Sequence, residues 1–407
     1  CYVLDEPGIG LHCSDKATLI SVLKRLIDKN NTVVVVEHDE NFIKAAENII
    51  EMGPEAGKNG GYITASGSLP DILNSKHSVT AQYLLRNKQN YAHQRNCNVQ
   101  SFGLYKATAN NLQECNVDFI SGGIIAVTGV SGSGKSSLIN HVLLPSALAG
   151  KPVHCSGTYG LQQFSKIVHA NQQAIGNNAL STPASYSGIL DDIRKLYAAT
   201  DEAVLKDLKN SAFSYHHAQG KCPECNGHGQ IRISMDFMSD VFAVCDTCGG
   251  SRYRRELENV RLHGLNIGEM LNCTILEAHE VLRNETAVAH KLQTCIDVGI
   301  GHLQLGQSAA TLSGGEAQRL KLASEMMKAS IHNTLFLLDE PGTGLHYFDI
   351  LKLIDVFNRL ANNGNTIIFI EHNPTLIAIA NQLIEMGPGS GSDGGRIVRN
   401  ELIGVYS

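Results

Sequence analysis

This 407-residue chain predicts an α/β fold with a mainly parallel sheet. Three observations carry that prediction. A block of alternating strand and helix patterns occurs twice. A glycine-rich loop joins an apolar strand to an apolar helix. Two Cys-x-x-Cys pairs interrupt the second copy of the pattern. Strands that alternate with helices favour parallel pairing, because a parallel crossover needs a connecting helix. Hydrophobic residues make up 43% and charged residues 18%, a balance that supports packed cores rather than disorder. The net charge of −6 and the pI near 6.3 exclude a chain that is basic throughout, so any nucleic-acid contact must be a local patch. No apolar run reaches the ~18–20 residues of a membrane helix. Eleven cysteines are too sparse for a secreted disulfide scaffold. Length suggests two to three domains at roughly 150 residues each.

The repeat organises the chain. CYVLDEPGIGLH at 1–12 returns as LFLLDEPGTGLH at 335–346, an offset of 334 residues. At that offset 28 of the first 61 positions are identical without a gap. Each copy reads strand, turn, helix, strand, helix. Residues 2–4 and 335–338 are buried-strand patterns ending in Asp-Glu. Helices are expected at 15–28 and 348–361, and strands at 32–36 and 366–370. The polar stretch 86–98 reads as the linker between copies. Residue 1 is Cys. A lipidated leading cysteine is one reading, but a start inside a domain is expected, because a buried-type strand follows at once.

GGIIAVTGVSGSGKSSLINHVLL at 122–144 holds G-x-x-x-x-G-K-S. Its residues are Gly129, Val130, Ser131, Gly132, Ser133, Gly134, Lys135, Ser136 and, just beyond, Ser137. Glycines let the backbone curl so that N–H groups face phosphates, and the following helix presents its positive end. Lys135 suits the β- and γ-phosphates of ATP, and Ser136 suits Mg²⁺. The apolar strand before and helix after are the context this motif requires.

Asp339 ends an apolar strand and suits the Mg²⁺ shell. Glu340 follows and suits polarisation of the attacking water. His372 follows the next strand, within reach of a γ-phosphate. LSGGEAQRLKLASEM at 312–326 opens with a capping box of Ser313 and Glu316. Gly314 and Gly315 leave the first-turn N–H groups bare for an anion. Together these elements resemble an ATP-binding-cassette (ABC) ATPase, a P-loop NTPase fold. In that family the signature segment of one copy closes on nucleotide held by the other copy's phosphate loop. On this resemblance 1–90 is the end of a first cassette and 91–150 the start of a second. An inserted region at 151–290 follows, and 291–407 is the rest of the second cassette.

Cys222, Cys225, Cys245 and Cys248 give C-x₂-C-x₁₉-C-x₂-C. Each pair sets two thiolates on one tight turn, and two pairs complete a tetrahedral Zn²⁺ shell. With four thiolates and no open position, the metal is expected to be structural. The module spans about 215–255. A redox dithiol is the rival reading, though it needs only one pair. His216, His217 and His228 are read as bystanders. Cys1, Cys13, Cys97, Cys115, Cys155, Cys273 and Cys295 lack metal spacing and read as free thiols in a reducing compartment. Lys221, Arg232, Arg252, Arg254 and Arg255, with Tyr253 among them, could track a phosphate backbone. A solvated charged face is the plainer reading, and the acidic neighbours Glu224, Asp236, Asp240, Asp246 and Glu256 weaken the field.

Transporter cassettes lack such a module between phosphate loop and signature. GVSGSGKSSLIN, PASYSGILDDIRKLYA, CDTCGGSRY, TLSGGEAQRLKLASEM and LLDEPGTGLH resemble the UvrA family, the damage-recognition subunit of bacterial nucleotide excision repair. The resemblance runs through essentially the whole chain and corresponds to the C-terminal portion. It implies a cytoplasmic ATPase of the excinuclease system that dimerises, binds duplex DNA, probes it for distortion and loads UvrB through an upstream region. It implies ATP, Mg²⁺ and structural Zn²⁺, and no membrane. Carried over, the phosphate loop with Asp339, Glu340, His372 and Gln172 serves one composite ATP site. Asp5, Glu6 and His38, with Ser313–Glu316, serve another whose phosphate loop lies upstream, so a monomer of this chain is expected to assemble no complete site. Three features depart from the family. In QQAIGNNALSTPASY (172–186), Asn177, Ala179 and Leu180 stand where Arg or Pro is usual. SYHHAQGKC before the zinc module is less glycine-rich than usual. Gly8 and Gly342 follow Asp-Glu-Pro where many cassettes have Ser or Thr. These departures fit a divergent paralogue concerned with resistance to DNA-directed drugs. The alternative function is an ATP-driven clamp on a protein or drug partner. A transporter-coupled cassette is a third reading, and it has no use for the cysteine module.

Overall fold

The computed structural model describes residues 1–8, 11, 13–53, 60–85, 100–175, 180–233, 241–328, 332–345 and 347–403. The chain folds as two compact units, Cys1–Asn171 with Ser330–Ser407, and Gln172–Ala329. The first unit carries β1 (Tyr2–Asp5), β2 (Val33–Val36), β3 (Ile49–Gly53), β4 (Tyr62–Gly67), β5 (Ser101–Ala107), β6 (Cys115–Ile120), β7 (Ile124–Gly129), β8 (Gly157–Tyr159) and β9 (Lys166–Ala170). The second unit contributes β10 (Gln230–Ile233) and β11 (Val241–Val244). The first unit resumes with β12 (Thr334–Asp339), β13 (Thr366–Ile370), β14 (Gln382–Gly387) and β15 (Arg396–Leu402).

Six strands form the main sheet in the order β15-β14-β7-β13-β12-β9. All pair in parallel except the edge strand β15. β12 and β13 are apolar on both faces and almost wholly buried, as expected of parallel strands covered on two sides. Ile370 pairs with both Asp339 and Val127. The carboxyl ends of β7, β13 and β12 are therefore level, and such strand ends are where α/β sheets hold ligands. A smaller antiparallel sheet, β6-β5-β8, completes the second cassette.

The repeat extends to hydrogen-bond register. Tyr2↔Val33 and Asp5↔Val36 correspond to Phe336↔Ile367 and Asp339↔Ile370. The irregularity at Glu51/Met52 corresponds to that at Glu385/Met386. Helices run over Cys13–Ile27 and Tyr347–Asn362, within two residues of expectation at each end. Burial differs between the copies. β7 lies between β13 and β14, whereas no strand lies between β2 and β3 among the described residues. The expected buried strands of the first copy are therefore largely exposed, with Val3 at 73% and Val36 at 53%.

The boundaries of the inserted region also differ from 151–290. β9 pairs with β12, which keeps residues up to Asn171 with the main sheet. The signature helix belongs to the second unit. The expected linker at 86–98 lies outside the described residues, as do Asn177, Ala179, Asp236 and Asp240.

Candidate nucleotide site and metal centre

The phosphate loop leaves the central strand β7. Gly129 has φ +134°, and a Cβ there would lie 2.1 Å from the Met386 carbonyl oxygen. Only glycine fits so near another backbone. Lys135 is 7% exposed, and its Nζ donates to the carbonyls of Gly129 and Val130, both at 2.9 Å. Burial pushes its amine below the usual range, opposed by the charges of Glu340 and Asp339. Ser137–Leu143 is π-helical and ends just before Pro145, which has no N–H to donate.

A second segment supports the loop from behind. Asn111 Nδ2 donates to the carbonyls of Gly132 and Gly391, both at 3.0 Å. The Gly391 N–H donates to Gly132 O at 3.1 Å and the Gly395 N–H to Ser133 O at 2.9 Å. Asn111 and the 388–395 segment carry no motif. Their only signal was the Gly-Gly pair shared by the two copies.

Asp339 closes β12, and its Oδ2 accepts from Asn140 Nδ2 at 3.4 Å. Burial raises its carboxyl above the usual range, against the pull of Asn140 and of the Lys135 charge. Glu340 is raised as well, by burial first and then by the Asp339 charge. A raised carboxyl is better matched to accepting a proton near neutral pH. Glu340 has φ +49°, a conformation that costs a non-glycine residue about 1–3 kcal/mol. Its N–H donates to Ile370 O at 2.9 Å, which aligns it with the end of β13, where His372 follows. In the first copy, Asp5 ends β1, Glu6 has φ +44°, and His38 Nδ1 lies 3.9 Å from Glu6 Oε1. Asp15, from the helix after that turn, acts electrostatically on Lys135, and Lys16 acts on Glu340.

The second unit holds the signature and Gln172. Ser313 and Glu316 form the expected capping box, with Ser313 N–H to Glu316 Oε2 at 2.8 Å and Glu316 N–H to Ser313 Oγ at 3.3 Å. Glu316 Oε1 also pairs with His302 Nε2 at 2.8 Å. That bond and the capping N–H pull its carboxyl down to about 2. Sequence reasoning missed His302. Gln172 packs on Gly314, its carbonyl oxygen 3.2 Å from where a Cβ would stand.

The four cysteines of the same unit are buried, with their sulfurs all within 4.8 Å of one another. Cys222 and Cys245 are 3.9 Å apart, and Cys225 and Cys248 3.7 Å. A tetrahedron with Zn–S of about 2.3 Å has edges of about 3.8 Å, so the tetrad fits zinc. No histidine joins this group among the described residues. Cys1, Cys115, Cys155, Cys273 and Cys295 are free thiols. The arginines bind the module together. Arg254 Nε donates to Ala218 O at 3.2 Å and Arg255 Nε to Thr247 O at 2.7 Å. The Arg252 guanidinium stacks 5.2 Å from the Tyr215 ring centre.

Sheet order, phosphate loop, Asp-Glu pair and capped signature helix together define an ABC-type ATPase fold carrying an inserted four-cysteine module. Crystalline UvrA2 from Deinococcus radiodurans superposes with a TM-score of 0.90 at 38% identity, over 99% of this chain and 50% of that one. UvrABC system protein A of Clostridium acetobutylicum is 45% identical over 407 residues, covering 98% of this chain and 43% of that protein. Its counterpart in Staphylococcus aureus is 44% identical over 405 residues, with shares of 98% and 43%. Archaeal ABCE1, in complex with the ribosomal stalk protein aP1, shares the fold at a TM-score of 0.52 and 15% identity, over 99% of this chain and 60% of that one. No protein-family profile matches. The chain belongs to the UvrA family. It spans less than half the length of the curated relatives it resembles.

Proposed function

We propose that the chain is the C-terminal portion of a UvrA-type ATPase that binds duplex DNA and recognises damage during nucleotide excision repair. The observation that carries this reading is a zinc-fitting cysteine tetrad in the same unit as an ABC signature, in a chain that aligns with UvrA proteins over 98% of its length. In this reading Lys135 exchanges the carbonyls of Gly129 and Val130 for β- and γ-phosphate oxygens. Backbone N–H groups from Gly129 to Ser137 cradle the phosphates. Ser136 and Asp339 hold the accompanying Mg²⁺, which supplies neutralisation of phosphate charge. Glu340 orients the attacking water and accepts its proton. His372 donates to the γ-phosphate.

Asp5, Glu6 and His38 play the same parts opposite a second phosphate loop. The helix start at Ser313–Glu316 presents its N–H groups to the γ-phosphate of a nucleotide held by another cassette's phosphate loop. Zinc on Cys222, Cys225, Cys245 and Cys248 is structural. Homodimerisation, cooperation with UvrB and a cytoplasmic setting follow from the same reading. No described helix is long and apolar enough to cross a membrane.

Binding to intact and lesion-bearing duplexes, with and without ATP, tests this over a salt series. The expected result is tighter binding to the lesion, with log K falling linearly in log[salt]. Absence of binding at low salt by folded, zinc-loaded protein would overturn the DNA reading.

A further inference from the structure

Each Asp-Glu-Pro turn is tied to the histidine that follows the next strand through one carboxylate. Glu371 is 4% exposed. Its Oε1 accepts from the Gly342 N–H at 3.0 Å, and its Oε2 accepts from the N–H groups of His372 and Asn373 at 2.5 and 3.1 Å. In the first copy, Glu37 Oε1 accepts from the Gly8 N–H at 2.8 Å. Its Oε2 accepts from the N–H groups of His38 and Asp39 at 3.1 and 3.3 Å. The pattern is the same atom for atom in the two copies.

A second observation comes from space. A Cβ on Gly342 would lie 2.4 Å from Glu371 Oε1, and one on Gly8 would lie 2.6 Å from Glu37 Oε1. The next atoms are the ends of buried side chains, Leu376 Cδ1 at 2.7 Å and Phe42 Cε2 at 2.8 Å. The carboxylate reaches the amide only because the residue that bears it has no side chain. That accounts for glycine at the position where other cassettes carry Ser or Thr.

We propose that Glu371 and Glu37 are positioning residues for ATP hydrolysis. Each fixes the water-orienting glutamate of its copy, Glu340 or Glu6, relative to the histidine of the same copy, His372 or His38, by gripping the backbone on both sides. Neither touches the nucleotide. The glycines at 342 and 8 complete the device. This inference rests on the ATPase reading of the site.

Glu371→Gln in the full chain is the test. Gln keeps the shape, but one oxygen becomes an NH₂ group and faces an N–H donor whichever way the amide turns. The expected result is a kcat at least tenfold lower with KM for ATP within twofold, because the phosphate loop is untouched. Hydrogen exchange at the amides of Gly342, His372 or Asn373 should quicken at least tenfold, while Ile368 stays protected. Glu371→Asp keeps both acceptors and should recover part of kcat. Gly342→Ala should slow turnover by a smaller factor when added to Glu371→Ala than in the parent, since the nearest colliding oxygen is gone. Melting temperature and zinc content establish folding for each variant. Turnover and exchange in Glu371→Gln within twofold of the parent would overturn the proposal. So would independent, multiplying losses for Gly342→Ala and Glu371→Ala. Unchanged turnover in Glu340→Gln would instead sink the ATPase reading itself.

Discussion

Removing the metal from the cysteine tetrad should unfold the hairpin it holds and spare the main sheet. The hairpin buries little apolar surface of its own. Around the four sulfurs the packing partner is Ile231. On the strands, Phe242 and Val244 are 62% and 60% exposed. Burying one isoleucine contributes about 2 kcal/mol. Ordering the backbone of the eight residues in β10 and β11 costs about 8–16 kcal/mol. The deficit of about 6–14 kcal/mol overlaps the ~10–16 kcal/mol that structural zinc supplies at neutral pH. Chelation followed by hydrogen exchange reads this directly. Amides across 222–233 and 241–250 should lose protection as zinc leaves, while those of Ile124–Gly129 keep theirs. Cys222→Ser with Cys225→Ser should behave like the chelated protein. One zinc retained per chain in that double variant, or full protection of β10 and β11 after chelation, would refute the reasoning.

Three further outcomes are expected. Glu340→Gln should bind ATP within a few-fold of the parent and turn over about 10²–10⁴ times more slowly, since a general base is lost; phosphate release and nucleotide binding measured together decide it. Gly129→Ala should abolish nucleotide binding and lower stability by about 3 kcal/mol or more, because the obstructing atom is the Met386 carbonyl oxygen and not a movable side chain; urea unfolding checks the second half. Glu316, held at about 2 against a usual 4.5, stabilises the signature helix above pH 4.5 and loses that stabilisation as pH falls towards 2. The full shift corresponds to about 3 kcal/mol, and screening at a side chain still 20% exposed reduces it to about 1–2 kcal/mol. His302→Ala should flatten that pH dependence, and an unchanged slope would exclude His302 from the role.

What was legible in the sequence was whatever lies close together along the chain. The phosphate loop, the Asp-Glu strand end, the signature cap and the cysteine pairs each declare themselves within ten residues or so. In each case local geometry dictates both the residue types and their spacing. What was not legible depends on distant segments meeting. Asn111 reaches Gly391 across 280 positions, and Glu371 reaches Gly342 across 29. The arginines beside the cysteine module read in the sequence as a solvated charged face or a phosphate track. The bonds of Arg254 Nε and Arg255 Nε to the carbonyls of Ala218 and Thr247 depend on the folded module bringing those carbonyls near.

The repeat separates what local sequence decides from what neighbours decide. The two copies share pairing register, the irregularity near Glu51 and Glu385, and positive φ at Glu6 and Glu340. They do not share burial. Val36 is 53% exposed and its counterpart Ile370 only 1%, because β7 covers one and not the other. At that point the two copies share the glutamate's N–H bond to the neighbouring strand end, Glu6 to Val36 O and Glu340 to Ile370 O, both at 2.9 Å, and the carboxylate that grips Gly8 or Gly342. A positive φ costing about 1–3 kcal/mol can be offset by three charge-assisted hydrogen bonds at about 1.5–3 kcal/mol each. The positive φ of Glu6 and Glu340 thus coincides in both copies with a carboxylate tie between the turn and the histidine loop.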